Sequence, residues 1–275
     1  MIASAGVPGD EEELGRVIKT GIGHATPDQI TVRGRDLATE LIGQVDFVDM
    51  LMLIVMERPC LGNEKDMLNA ILVSVTDHGL TPSSLAARLT FLGAPESPQA
   101  AVAAGLLGAG NVFLGAMESA AEMLTEAVEG LDETADDQII GARAEAFMRE
   151  RRARRMPLFG LGHNLHINGD PRIPVLRAVS ERNGYFDVHW RLLLAMDEVS
   201  SDVYARRLPA NAAGAIAAMI CAMKLPTSLA RGLALVGRCA GLVGHLREEQ
   251  HSPISTEIWH LILRQDPQNE VPARP

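Results

Sequence analysis

The sequence predicts an all-α protein. Aromatic residues make up only 4 % of the chain, while Ala, Gly, Leu and Met are plentiful, a composition that favours helices over strands. Apolar residues recur at 3.6-residue spacing in one segment after another. Gly and Pro, which end helices, separate these segments, and strand signals are nearly absent.

Composition narrows the function classes. At 275 residues and 29.5 kDa, one or two domains with a substantial core are expected. Hydrophobic residues at 47 % and charged residues at 22 % exclude a mostly disordered chain. The net charge is −10 and the pI about 5.3, which argues against nucleic acid as a partner because phosphate contacts need a basic surface. Cys60, Cys221 and Cys239 lie far apart, so neither a disulfide framework nor a zinc site is indicated. The longest uncharged apolar run, 212–223, is shorter than the roughly 20 residues a membrane helix needs. The opening, MIASAGVPGDEEELG, is acidic and lacks the basic-then-apolar order of a secretory signal. The expectation is a cytoplasmic protein with no membrane partner.

The elements follow in order. Residues 1–24 read as a polar lead-in. ITVRGRDL (30–37) suits a short extended piece before Asp36 caps a helix. In 46–57, Phe47, Met50, Leu51 and Ile54 share a helical face, and Pro59 stops it. Asn63 is positioned to cap the next helix, where Met67, Leu68, Ile71, Leu72 and Val75 form one stripe. That helix ends at Thr76-Asp77-His78-Gly79. Helices are expected over 85–92, 98–107 and 112–128. An acidic loop at 130–138 precedes a polar helix, 136–155. The stretch from Pro157 to His163 is too rich in Gly and Pro to be helical. Helices return at 173–183, 186–206 and 211–223, and Pro226 opens a long one to about Gln250.

The long helix carries two patterns. Ala230, Ala234, Gly237, Gly241 and Gly244 recur at four, three, four and three, so these small residues line one stripe. Such a stripe admits another helix closely, within the chain or from a second subunit. Arg231, Arg238 and His245 recur at seven beside it. A cation on a close-packed helix needs a partner. Salt bridges satisfy this need, and so does an anion pocket in which arginine grips a carboxylate. The basic run Arg149, Arg151, Arg152, Arg154 and Arg155 suits either a solvated helix end or a phosphate-binding patch. His78 stands at a helix end beside Asp77 and Gly79. His163 stands in a Gly-rich loop followed by Asp170-Pro171-Arg172. Histidines in tight loops on a scaffold are candidates for chemistry.

Taken in order, V-R-G-R-D-L (32–37), T-D-H-G (76–79), F-L-G-A-M-E-S-A (113–120), F-G-L-G-H-N-L-H-I-N-G-D-P-R (159–172), L-P-A-N-A-A-G-A-I (208–216) and G-R-C-A-G-L-V-G-H (237–245) resemble the citrate synthase superfamily. The similarity is greatest to its short branch, the citryl-CoA lyases and the C-terminal module of ATP-citrate lyase. The resemblance implies a large helical domain, 1–119 with 224–275, and a small one, 120–223, around an interdomain cleft in a homodimer or higher oligomer. It implies carbon–carbon bond chemistry on an acyl-CoA and a di- or tricarboxylate. The CoA thioester enters as substrate or product, with no resident cofactor and no metal. By the same resemblance, His78 and His163 are catalytic. Arg172 and Arg238 bind substrate carboxylates. His251 stands where the partner subunit's carboxylate-binding arginine is expected. Pro157, Leu158, Phe159, Gly160, Leu161 and Gly162 lie against CoA.

Two positions depart from the family pattern. The histidine that stabilises the acetyl-CoA enolate in synthases falls on Leu114 or Gly115, which favours a lyase. The catalytic aspartate falls on Ala213, and no Asp or Glu occurs between Leu208 and Arg247 to replace it. Loss of such an acid–base group costs about 100- to 10,000-fold in rate. A citryl-CoA lyase-like enzyme is therefore one expectation, with His163 taking the hydroxyl proton. A catalytically impaired homologue that binds CoA esters or a tricarboxylate is the other. A helical interaction protein with no small-molecule site is the blandest alternative.

Overall fold

A computed structural model describes residues 18–270. The chain divides into two compact units, Met1–Leu61 and Gly62–Pro275. Among the described residues the one sheet lies in the first unit. Strands β1 (Gly23–Ala25), β2 (Ile30–Val32) and β3 (Arg35–Asp36) form an antiparallel meander in which His24 faces Thr31. Part of the expected polar lead-in is thus β1, and residues 1–17 lie outside the described ones. Asp36 does cap a helical turn: its carboxylate accepts from the Ala38 and Thr39 amides at the start of a π-turn, Leu37–Leu41. Helix α1 (Phe47–Met56) begins at Asp46, whose side chain accepts from Val48 and Asp49. Arg33 ties the meander to α1 by donating to the Ile54 carbonyl at 3.0 and 2.6 Å.

The second unit is helical. Helix α2 (Glu64–Val75) follows Asn63, but the Asn63 side chain makes no cap bond; its amide donates to the Asn183 carbonyl at 3.4 Å. Helix α3 (Pro82–Gly93) starts earlier than the periodicity implies, because Thr81 and Ser84 close a capping box and Pro82 fits the first turn. Helix α4 (Pro98–Leu107) follows, and the span expected at 112–128 divides into a π-turn, Gly110–Leu114, and α5 (Gly115–Val128). Next come α6 (Asp137–Ala153), α7 (Arg172–Asn183), α8 (Val188–Tyr204), α9 (Ala212–Ala222) and α10 (Ser228–His251). A short helix α11 (Ser255–Gln265), not anticipated from the pattern, follows α10. The all-α reading holds.

Packing explains the sequence periodicities. Helix α6 lies along α8, α5 along α9, and α3 along α4, while α2 contacts both α7 and α10. Helix α9 is apolar all round and buried almost throughout, as a central core helix should be. Leu242 and Leu246 of α10 close a cluster with Ala87, Phe91 and Ala101. Among the described residues no single helix is long and apolar enough to cross a membrane.

Candidate active site

The small-residue stripe of α10 places the first half of the site. A methyl group on Gly237 would meet Val75 Cγ2 at 2.5 Å and the Leu72 carbonyl at 2.7 Å, and one on Gly241 would strike the Thr76 carbonyl. The last turn of α2 therefore rests directly on α10, and the stripe is an intramolecular contact at these glycines. The turn Thr76-Asp77-His78-Gly79 is thereby held beside Arg238 and His245. Asp77 Oδ2 accepts from the Gly79 amide at 2.7 Å, and its Oδ1 accepts from His245 Nε2 at 2.8 Å. Arg238 Nη1 stands 3.6 Å from the same oxygen. Burial alone would raise the Asp77 carboxyl, but the Gly79 amide and His245 hold it below its ordinary value.

Behind this turn lies a buried chain of charges. Arg88, wholly enclosed, donates Nε–H to His245 Nδ1 at 3.0 Å and Nη1–H to Glu249 at 2.7 Å, and its second amino group pairs with Glu248. Because His245 Nδ1 accepts, its proton sits on Nε2 and points at Asp77. The expected second stripe thus divides. His245 is a structural link, Arg231 pairs with Asn111 at 3.0 Å and approaches Glu118, and Arg238 faces a cavity.

The Gly-rich loop supplies the other half. Leu161 bridges to Ala210, the Gly162 amide donates to the Pro209 carbonyl at 2.7 Å, and the Asn211 side chain donates to the Gly162 carbonyl at 2.6 Å. The loop passes so close to α9 that a Cβ on Gly160 would meet Gly214 Cα at 2.5 Å, and Gly160 also has φ +76°. Beyond this contact the chain curls back on His163, whose Nδ1 accepts from both the Leu165 and the His166 amides at 3.0 Å. Two backbone donors at Nδ1 force the ring proton onto Nε2, so His163 presents a donor. Burial, with help from His166, keeps the ring below its ordinary pKa and hence neutral at pH 7.

Asp170 fixes the end of the loop. Its carboxylate holds Arg172 by a fork, at 2.9 and 2.7 Å, and accepts from the Ala212 amide at 2.9 Å. Burial opposes ionisation, yet the Arg172 side chain and backbone bring the Asp170 pKa down to about 2. Arg172 gives its remaining Nη1 to the Ser74 carbonyl at 3.3 Å. Its Nε, Nη1 and Nη2 thus all have partners within the protein, and it adds positive field to the cavity. His78 is held below the ordinary histidine value by burial and then by Arg172.

These pieces line one cavity of about 430 Å³, bordered by His78, His163, Arg172, Arg238 and Ala213. Arg238 is 8 % exposed, and its Nε and Nη1 are buried without a hydrogen-bond partner. Burial lowers the affinity of this guanidinium for its proton, and only Asp77 opposes the shift. Leu114 also borders the cavity, so a leucine stands at the expected enolate position, with Gly115 just behind. No Asp or Glu is among the lining residues.

Other expected residues lie around this centre. Gly162 touches the cavity and, with Leu161, a second one of about 460 Å³ that also holds His163, Arg206 and Arg207. Pro157, Leu158, Phe159 and Gly160 precede Leu161 in the chain and are among the lining residues of neither cavity. His251 is exposed at the end of α10, donates to the Arg247 carbonyl, and does not line its own chain's cavity. The basic run is a helix end: Arg149 and Arg154 pair with Glu145 and Glu150 one turn back, and Arg151 turns inward to Glu126.

Four features escaped the sequence reading. They are the Arg88–His245–Asp77 chain, the pair Arg206 and Arg207, the role of Asp170, and His166. His166 Nε2 lies 3.0 Å from His78 Nε2, and one nitrogen from each of His78, His163 and His166 falls within 4.8 Å of the others. That spacing suits a metal, but the protonated Nε2 of His163 has no lone pair to give. Only the G-x-G-H-x-x-H spacing in the sequence hinted that His166 would return to the site.

Comparison with known proteins fits this geometry. Residues 44–261 match the family profile described as citrate synthase, C-terminal domain. The chain belongs to the citrate synthase family. Among solved structures it is similar to the citryl-CoA lyase of Hydrogenobacter thermophilus, at 29 % identity and a TM-score of 0.78 over 94 % of this chain and 97 % of that one. It shares its fold with the ATP citrate lyase of Methanosaeta concilii in complex with (3S)-citryl-CoA, at 18 % identity and a TM-score of 0.74, covering 98 % of this chain and 45 % of that one. A citrate synthase-like protein of Phoma sp. is 28 % identical over 130 residues, 44 % of this chain and 28 % of that protein. The chain spans between 28 % and 56 % of the length of the curated relatives it matches.

Proposed function

We propose that this protein is a carbon–carbon lyase that splits citryl-CoA, or a related 3-hydroxy-acyl-CoA, into acetyl-CoA and a keto acid. The single observation that carries the reading is Arg238. A buried guanidinium whose Nε and Nη1 make no hydrogen bond, with Asp77 standing off at 3.6 Å and two neutral imidazoles beside it, is costly unless an anion completes it. A carboxylate on Arg238 places the rest of the substrate against His78 and His163. The likeness to a citryl-CoA lyase over nearly the full length of both chains supports the same substrate class.

In the cleavage direction the C–C bond between the thioester methylene and the carbinol carbon breaks. Its electron pair enters the thioester enolate, and the hydroxyl oxygen becomes the keto oxygen. His163, with its proton on Nε2, donates to that oxygen throughout. It does not take the hydroxyl proton, as the sequence first suggested, because its Nδ1 is engaged by two amides. The catalytic roles of His78 and His163, and the carboxylate roles of Arg172, Arg238 and His251, belong to this proposal. In this reading Arg206 and Arg207, which line the second cavity with Leu161 and Gly162, meet the anionic part of CoA. The division into 1–119 with 224–275 and 120–223, assembly as a homodimer, and a cytoplasmic setting are further parts of it.

The test is purified protein with citryl-CoA, following acetyl-CoA and keto acid release. Turnover above buffer is expected; a rate equal to buffer rejects the lyase. A second reading has its own observation, Ala213. A binding protein of the same fold needs no proton donor there, and calorimetry would find tight citrate or CoA binding without turnover.

A further inference from the structure

The proposed cleavage leaves one proton unaccounted for. It must leave the hydroxyl and arrive at the enolate carbon. His163 already holds a proton on Nε2, Ala213 has none to give, and the cavity wall contains no carboxylate. His78 borders the cavity, whereas His166 does not. Their Nε2 atoms are 3.0 Å apart with the rings edge to face at 85°, so one proton lies between the two nitrogens. Among the described residues nothing else hydrogen-bonds the His78 ring, which leaves its Nδ1 for a ligand.

We propose that His166 is a positioning residue that acts through His78, and that the pair carries the substrate's proton from oxygen to carbon. This rests on the lyase reading. At the start His78 carries its proton on Nε2 and His166 on Nδ1. The hydroxyl proton passes to His78 Nδ1, and the His78 Nε2 proton moves across to His166 Nε2, leaving His166 as an imidazolium opposite the alkoxide. The C–C bond then breaks, the alkoxide becomes a ketone, and the enolate forms. His78 gives its Nδ1 proton to the enolate carbon, which becomes the methyl of acetyl-CoA. His166 returns its Nε2 proton to His78 Nε2. Both rings end as they began, and no other reactant is required.

The surroundings suit this cycle. The charged and titratable groups facing His78 are Asp77 next to it, His163 and Asp170 from the loop, Arg172 from α7 and Arg238 from α10. Burial, then Arg172, His166 and Arg238, oppose a resident charge on His78, and Asp170 favours one. His166 Nε2, 3.0 Å from His78 Nε2, is the acceptor within reach of a proton displaced from His78.

Two measurements test the proposal together. Nitrogen-15 NMR of the histidine rings should show one proton coupled to both Nε2 atoms. No coupling across the two Nε2 atoms would overturn the pairing, whatever the protein does to citryl-CoA. In the kinetic arm, His166→Gln and His166→Ala should both lower kcat for citryl-CoA by about 100-fold, with the Kd of the substrate within about 3-fold. Glutamine keeps a hydrogen bond to His78 but cannot take up a proton, so recovery of kcat by His166→Gln would reduce His166 to a steric prop and overturn the relay. If the wild-type protein leaves citryl-CoA intact, the lyase reading fails, and the relay built on it falls with it; the NMR result still decides the shared proton.

Discussion

Arg238 borders the cavity, and its buried Nε and Nη1 make no hydrogen bond within the protein. A residue of this kind trades stability for binding. Arg238→Met removes a buried cation that makes no hydrogen bond at Nε or Nη1 and has only Asp77, 3.6 Å away, to offset its charge, while keeping the stem's packing, so urea unfolding should show a gain of about 1–3 kcal/mol. The same variant should bind citrate about 10- to 100-fold more weakly by calorimetry. A variant that loses stability and keeps its affinity would contradict this assignment. Ala213 makes the opposite case. Ala213→Asp places a carboxylate at the start of α9, on the cavity wall, and is expected to raise the rate of citryl-CoA cleavage at least 10-fold by restoring an acid–base group. An unchanged rate would mean that proton transfer at this position does not limit turnover. Both positions were legible in the sequence, one by helical spacing and one by a motif out of pattern. His166 was not, because its importance depends on a loop curling until two rings from distant segments meet.

At the scale of elements, the site depends on how closely α2 approaches α10. Gly241 permits that approach, and Gly241→Ala should force the α2 end away from α10. Overpacking of this kind costs about 1–3 kcal/mol, and it should also weaken citrate binding because Asp77 and His78 ride on the displaced turn. Loss of stability with citrate affinity unchanged would show that the turn is anchored elsewhere. The stripe was visible as a spacing of small residues, but its partner was not, since spacing alone does not say which helix fills it. Capping side chains follow the sequence only where no tertiary partner competes for them. Asp36, Asp46 and Asn211 accept from the first amides of their helices, whereas the Asn63 side chain turns to Asn183, a tertiary partner 120 residues away. Ser255 and α11 gave no warning either, since Glu249 at the end of α10 supplies the acceptor that starts the helix.

For the whole molecule, the two neutral histidines link the site to global stability. Their folded pKa values lie below the ordinary 6.5, so the unfolded chain binds protons that the folded chain resists. Above pH 6.5 both states are neutral and this penalty is absent. As pH falls through 6.5 the folded protein loses stability on their account. Thermal melts between pH 8 and pH 5.5 should show a falling Tm, and a His78→Gln, His163→Gln double variant should flatten that slope. An identical slope in the variant would remove these rings from the account.

The most direct test of the central claim, that one anion is held where these groups converge, is a crystal structure of the protein soaked with citrate. The account predicts a carboxylate on the free edge of the Arg238 guanidinium and the citrate hydroxyl within hydrogen-bond distance of His163 Nε2. Citrate bound elsewhere, or a cavity left empty at saturating citrate, would contradict it.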